Sequence, residues 1–134
     1  MEPIKVVVRY CDGRVVKGVT QDFFPNKDRF HLRSDTTTSE EPAEVLIRDL
    51  KAVFFVKDFE GNPGYDERKE YLEGDKPQGR KVEVLFVDGE MLVGSTLGYD
   101  PNRLGFFLFP VDPKSNNMRV FAVTAAIKSV RYIQ

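Results

Sequence analysis

The sequence predicts an all-β protein built from two small five-stranded barrels in tandem, the product of an internal duplication. Three observations predict it. Sliding the chain by 76 positions aligns residues 5–34 with 81–110 without a gap, and 11 of the 30 pairs are identical. Both copies alternate apolar and polar side chains with period two, as a strand with one buried face requires. The copies also share their punctuation: Asp12-Gly13 falls on Asp88-Gly89, Gly18 on Gly94, and Pro25-Asn26 on Pro101-Asn102. A second match closes each unit with an offset of 77, Leu50-Lys51-Ala52-Val53-Phe54-Phe55-Val56 against Ile127-Lys128-Ser129-Val130-Arg131-Tyr132-Ile133.

The elements follow in order. Val6, Val8 and Tyr10 alternate with Val7, Arg9 and Cys11, which marks a first half-buried strand. The Asp-Gly pair after it predicts a type I′ hairpin. Residues 14–22 return as the second strand, with Gly18 inside it marking a bulge or bend. Residues 30–33, 44–47 and 52–56 supply the third, fourth and fifth strands. Residues 80–134 repeat the series, so the expected organisation is repeat 1 over 1–60, a connector over 61–79 and repeat 2 over 80–134. The connector carries 3 basic and 5 acidic residues and opens on the turn Gly61-Asn62-Pro63-Gly64. Its middle, 65–72, has the composition of a short helix of two turns. The Thr/Ser/Glu-rich stretch 34–42 is expected to be a loop, with 112–117 as its counterpart.

Composition narrows the function classes. With 20 Lys+Arg against 21 Asp+Glu the formal charge is −1 and the isoelectric point about 5.9, which excludes a polybasic or polyacidic tail. No apolar run approaches the roughly 20 residues of a membrane helix, and the N-terminus has no signal-like apolar stretch. Cys11 is the only cysteine and His31 the only histidine. No intrachain disulfide and no cysteine or histidine metal cluster is therefore expected, and a reducing, cytoplasmic setting is the simplest one. No cofactor motif is present, including the phosphate-cradling G-x-x-x-x-G-K-[ST].

The segment Asp88-Gly89-Glu90-Met91-Leu92-Val93-Gly94-Ser95-Thr96-Leu97-Gly98-Tyr99-Asp100 resembles the first signature of the Sm and Sm-like family: a hairpin Asp-Gly, a glycine five residues on, then an aromatic-Asp pair. Asp12-Gly13-Arg14, Gly18 and Phe23-Phe24 fit the same pattern, with Phe24 where the Asp would be. The stretch 50–61 is similar to an uncharacterised family of bacterial domains. The resemblance implies SH3/Sm-like barrels in both units and, by analogy, rings that bind single-stranded RNA. On that reading Asn26 and Asn102 occupy the RNA-binding loops. The closing segments read Lys51-Ala52 and Lys128-Ser129 where the family has Arg-Gly or Lys-Gly.

Two surfaces stand out as candidate sites. Repeat 1 carries Lys5, Arg9, Arg14, Lys17, Arg29 and Arg33, with Lys5 and Arg9 on one face of the first strand and Phe23 close in sequence. Basic residues beside aromatics are the ingredients of a single-stranded nucleic-acid platform. Arg29 and Arg33 also have the R-x-x-x-R spacing of PilZ-type cyclic-dinucleotide receptors, without that motif's companion. Repeat 2 replaces the same positions with apolar residues. Its Leu85, Val87, Val93, Phe107 and Phe109 form a face that must be covered by the other barrel or by a partner. Catalysis has one histidine candidate, His31 with Asp28 or Asp35, and no nucleophile motif beside it. Glu40, Glu41 and Glu44 lack the spacing of a calcium loop. The expectation is a non-catalytic binding or adaptor module with a protein partner docking on repeat 1. The alternative is an RNA-binding homo-oligomeric ring of three tandem chains.

Overall fold

The computed structural model describes residues 2–34, 41–61, 64–65 and 67–133. Most of the expected 34–42 loop, and Asn62 and Pro63 of the expected turn, lie outside the described residues. So do Asp35 and Glu40. The described residues are all-β, with ten strands: β1 (Ile4–Tyr10), β2 (Val15–Thr20), β3 (Arg29–Ser34), β4 (Ala43–Leu46), β5 (Leu50–Val56), β6 (Arg80–Phe86), β7 (Met91–Thr96), β8 (Gly105–Pro110), β9 (Asn117–Val123) and β10 (Ile127–Tyr132). They form one antiparallel sheet in the order β10-β6-β7-β8-β9-β5-β1-β2-β3-β4. Each repeat has the same internal order, with its fifth strand beside its first and its fourth strand last. The two halves join where β5 of repeat 1 pairs with β9 of repeat 2.

That joint explains the apolar run of β5, whose seven residues are all buried. A strand with both neighbours in place and both faces covered alternates between two apolar environments. Val53 and Phe55 point into a core with Val6, Val8, Phe23, Phe30 and Phe121. Ala52, Phe54 and Val56 point the other way, into a core with Val82, Val84, Phe86, Phe106 and Val120. β9 divides likewise, giving Phe121 and Val123 to the first core and Val120 and Ala122 to the second. The two cores therefore lie on opposite faces of one sheet.

The duplication extends to irregularities. Lys51 is skipped between Arg9↔Ala52 and Tyr10↔Leu50, and Lys128 is skipped between Ser129↔Leu85 and Ile127↔Phe86. Each bulge turns its strand's first residue toward the core. Lys51 then reaches across to repeat 2, where Asp88 accepts from its ammonium at 2.7 Å and Glu90 also accepts, over the Phe86 ring. Burial opposes that charge, but the two carboxylates outweigh it and hold the Lys51 pKa above its usual value. The glycines at the bend are required by close approach. A Cβ on Gly18 would lie 2.5 Å from the Arg33 carbonyl oxygen, and one on Gly94 would lie 2.3 Å from that of Phe109.

Two local expectations are corrected. Only the glycine of each Asp-Gly pair has positive φ (Gly13 +96°, Gly89 +94°), so the type I′ turn is not used. Instead the Gly13 N–H donates to the Tyr10 carbonyl at 3.1 Å and the Tyr10 N–H to the Arg14 carbonyl at 2.9 Å, closing a three-residue loop on the glycine. The same bonds recur from Gly89 to Phe86 and from Phe86 to Glu90. The described residues of 65–72 form no helix. Their hydrogen bonds go partly to repeat 2 and partly within the connector. Buried Asp112 accepts from the Tyr65 hydroxyl and from the backbone N–H groups of Arg68 (3.0 Å) and Lys114 (2.9 Å), while Arg68 pairs with Asp75 at 2.6 Å. Those donors hold the Asp112 carboxyl down to about 2.

Two outcomes follow for stability. Phe121→Ala, in the centre of the joint, is expected to cost about 3–5 kcal/mol in urea denaturation, as large-to-small changes of a buried Phe do. For Asp112, a folded pKa near 2 against about 3.9 unfolded means that its contribution is complete above about pH 4 and lost as pH falls through 2. Thermal melts of Asp112→Asn should therefore lie below the wild type at pH 7 and converge with it near pH 2.

Candidate binding surfaces

The basic residues of repeat 1 occupy its exposed outer surface, but each is already engaged. Lys17 donates to the Phe59 carbonyl at 2.9 Å, and Lys5 lies over the Phe59 ring. Arg9 stacks on Phe54, and Arg14 covers Tyr10 while bonding Asp12 at 2.9 Å. Arg29 pairs with Asp28 at 3.0 Å and Glu44 at 3.4 Å. Arg33, across β2 from Val19, is exposed and also has a partner. Phe23 departs from the stacking role assigned to it. It is 3% exposed and sits edge-on to Phe30, Phe55 and Phe121 at 5.1–5.2 Å, so no base can lie on it. Asn26 and Asn102 are exposed in matching turns, where the Asn102 N–H donates to Asp100 at 2.9 Å.

His31 finds a different carboxylate from the two expected. Asp22 accepts from its backbone N–H at 2.8 Å and lies 2.6 Å from its Nδ1. Thr20 adds a third hydrogen bond to Asp22 at 3.1 Å. Burial pushes the Asp22 pKa up, but the His31 and Thr20 bonds outweigh it and leave the carboxyl below its usual value. This corner opens on a hollow of about 440 Å³ beside β4, lined by Pro3, Val19, Gln21, Arg33 and Pro42. An oriented imidazole needs a nucleophile or a reacting atom within reach. Among the described residues lining the hollow there is no serine, threonine or cysteine. No group of three or more metal-ligating side chains occurs among the described residues either, and no helix of the structure is long and apolar enough to cross a membrane.

At the sheet's end, β4 is short and its outer edge is free of any described strand. Its register against β3 (Phe30↔Val45, His31↔Glu44) matches that of β9 against β8 (Phe106↔Ala122, Phe107↔Phe121). Glu44 thus stands where repeat 2 has Phe121, and His31 where it has Phe107.

The five apolar residues singled out in repeat 2 have separate fates. Phe107 packs against the first core, edge-on to Phe121 at 5.3 Å and to Phe23 at 6.3 Å. Leu85, Val93 and Phe109 are partly buried. Val87, at the hairpin tip, stays 66% exposed. Phe107 and Phe109 line a cavity of about 470 Å³ at the seam between the repeats, with Pro25 on one side and residues 96–100 on the other. Arg119 also lines it. That residue was missed from the sequence, because a single arginine in a strand carries no spacing signal.

The model of a family of unknown function (DUF6982) matches residues 2–134, and the chain belongs to that family. No curated protein and no solved structure matches the chain.

Proposed function

We propose that this member of the family is a non-catalytic interaction module, with SH3/Sm-like halves, that receives an extended strand of a protein partner on the open edge of β4. The observation that carries this reading is the internal joint. β9, the counterpart of β4, is capped by β5 through five registered pairs, so the chain already contains one completed strand addition. β4 offers the same backbone edge with no described strand on it. Strand addition draws affinity from main-chain hydrogen bonds and specificity from alternate side chains. The edge also carries devices that discourage indiscriminate pairing: four residues only, Pro42 just before it, and the exposed Glu44. Glu41 and Glu44 favour a partner strand with basic residues.

The alternative, a ring of three chains that binds RNA, would repeat the β5–β9 joint between β10 of one chain and β4 of the next. The side chains at those positions fit poorly. Arg131 and Ser129 stand where β5 has Phe54 and Ala52, and Glu44 stands where β9 has Phe121. Lys128 would meet Asp12 and Arg14, whereas Lys51 meets Asp88 and Glu90. Unlike partners suit this edge better than a second copy.

The test selects random heptapeptides on the immobilised chain and maps the winners by amide chemical shifts. Peptides alternating apolar and basic residues are expected to shift residues 43–46, and Glu44→Lys is expected to weaken them by about tenfold, the order of one charge pair of 1.4 kcal/mol. Winners mapping elsewhere would overturn the reading. So would short RNAs that bind at low salt and shift Lys5, Arg9 and Lys17.

A further inference from the structure

The seam cavity contains a feature that strand docking does not use. Arg119, on the face of β9 that also carries Phe121, projects over two aromatic rings. Its guanidinium carbon lies 4.5 Å from the centroids of both Phe55 and Phe107. Those rings are themselves fixed by the joint, 6.0 Å apart. Two other cations that sink into this protein bring a carboxylate with them, Lys51 with Asp88 and Glu90 and Arg68 with Asp75, while Lys81 rests on the single ring of Tyr71. Among the described residues, none pairs with Arg119. Burial alone acts on its pKa, and lowers it.

Removing a guanidinium from water is costly unless an acceptor replaces the solvent. Arg119 is partly buried, so the chain retains part of that cost, in a cavity of about 470 Å³, which is within the range of small-molecule sites. The remaining walls are mostly apolar, with Tyr99, Phe106 and Phe109, and Leu97, 77% exposed, at the mouth; Thr96, Asp100 and Arg103 are their polar members. Arg103 at the rim is balanced by Asp100 at 3.9 Å, so the local charge still to be matched is that of Arg119. A guanidinium presents its N–H donors as a fork that fits two oxygens of one carboxylate or phosphate.

We propose that the seam cavity binds a small molecule with a flat apolar body and a carboxylate or phosphate group, the anion being held by Arg119 and the body by the aromatic walls. The site is independent of the β4 edge. It lies where the repeats meet, since Pro25 of its lining comes from repeat 1 and the other lining residues from repeat 2, with Phe55 of repeat 1 beneath Arg119.

Calorimetric titration of the full chain with 2-naphthoate, 2-naphthyl phosphate, uncharged 2-naphthamide and inorganic phosphate tests it. Both naphthyl anions are expected to bind, and the amide to bind at least about tenfold more weakly, as the loss of a charge-assisted pair implies. The tighter of the two anions identifies the head group. Arg119→Gln should remove that preference for anions, while Arg119→Lys should keep part of it. If Arg119→Gln does not fold by circular dichroism, Leu97→Glu at the exposed mouth should repel the same anions in a folded chain. Equal binding of amide and anions by the wild type would overturn the proposal. So would undiminished anion binding in Arg119→Gln or Leu97→Glu, binding of inorganic phosphate as tight as that of the naphthyl anions, or no naphthyl anion binding at millimolar concentration.

Discussion

The backbone ladder between β5 and β9 is the constraint on which the rest of this molecule depends. A single five-stranded repeat of about 55 residues buries too little apolar surface to be comfortably stable alone. Pairing the last strand of one repeat with the fourth strand of the other turns two thin cores into one ten-stranded sheet. Because side chains alternate across a strand, β5 and β9 each contribute to both cores at once. Loss of register at this ladder would move Phe54 and Phe55 to the wrong faces together. The Lys51 bulge and its carboxylate partners hold the same junction from the side.

That constraint accounts for the divergence of the copies. At equivalent positions, repeat 2 has Phe107 and Phe121 where repeat 1 has His31 and Glu44, and repeat 1 has Phe55 where repeat 2 has Tyr132. Each aromatic of the joint sits on the side of the repeat that meets the other. Each polar substitute sits on the side that ends the sheet. The charged and short outer strands follow from the same logic, since an uncapped apolar edge invites aggregation. The seam cavity is a further consequence: it opens where the outer face of repeat 2 turns past the 23–25 segment of repeat 1.

Much of this was legible in the sequence. The duplication, the strand series, the hairpin positions and the bend glycines all come from local punctuation and period-two alternation. The uninterrupted Val53-Phe54-Phe55-Val56 suits a strand covered on both faces, but period-two alternation did not single it out. What it could not reveal was the identity of the covering strand, because pairing between distant strands leaves no local pattern. The type I′ turn failed because Asp-Gly also suits a three-residue loop in which glycine alone needs positive φ. The connector helix failed because tertiary hydrogen bonds to Asp112 outweighed local propensity. Of the candidate site residues, Phe23 was drawn into the core by three neighbouring rings. Arg119 became visible only once Phe55 and Phe107, 52 residues apart in the chain, were seen beneath it.

Whether the two cores form one cooperative unit decides between a single domain and two. Native-state hydrogen exchange at low denaturant measures this directly, residue by residue. The central amides of β1 and β6, one strand from each repeat, should exchange through a single global opening, with equal free energies and equal denaturant slopes. If β6 opened at a clearly lower free energy than β1, with a smaller slope, the repeats would be separate domains and the β5–β9 ladder would not be what holds the molecule together.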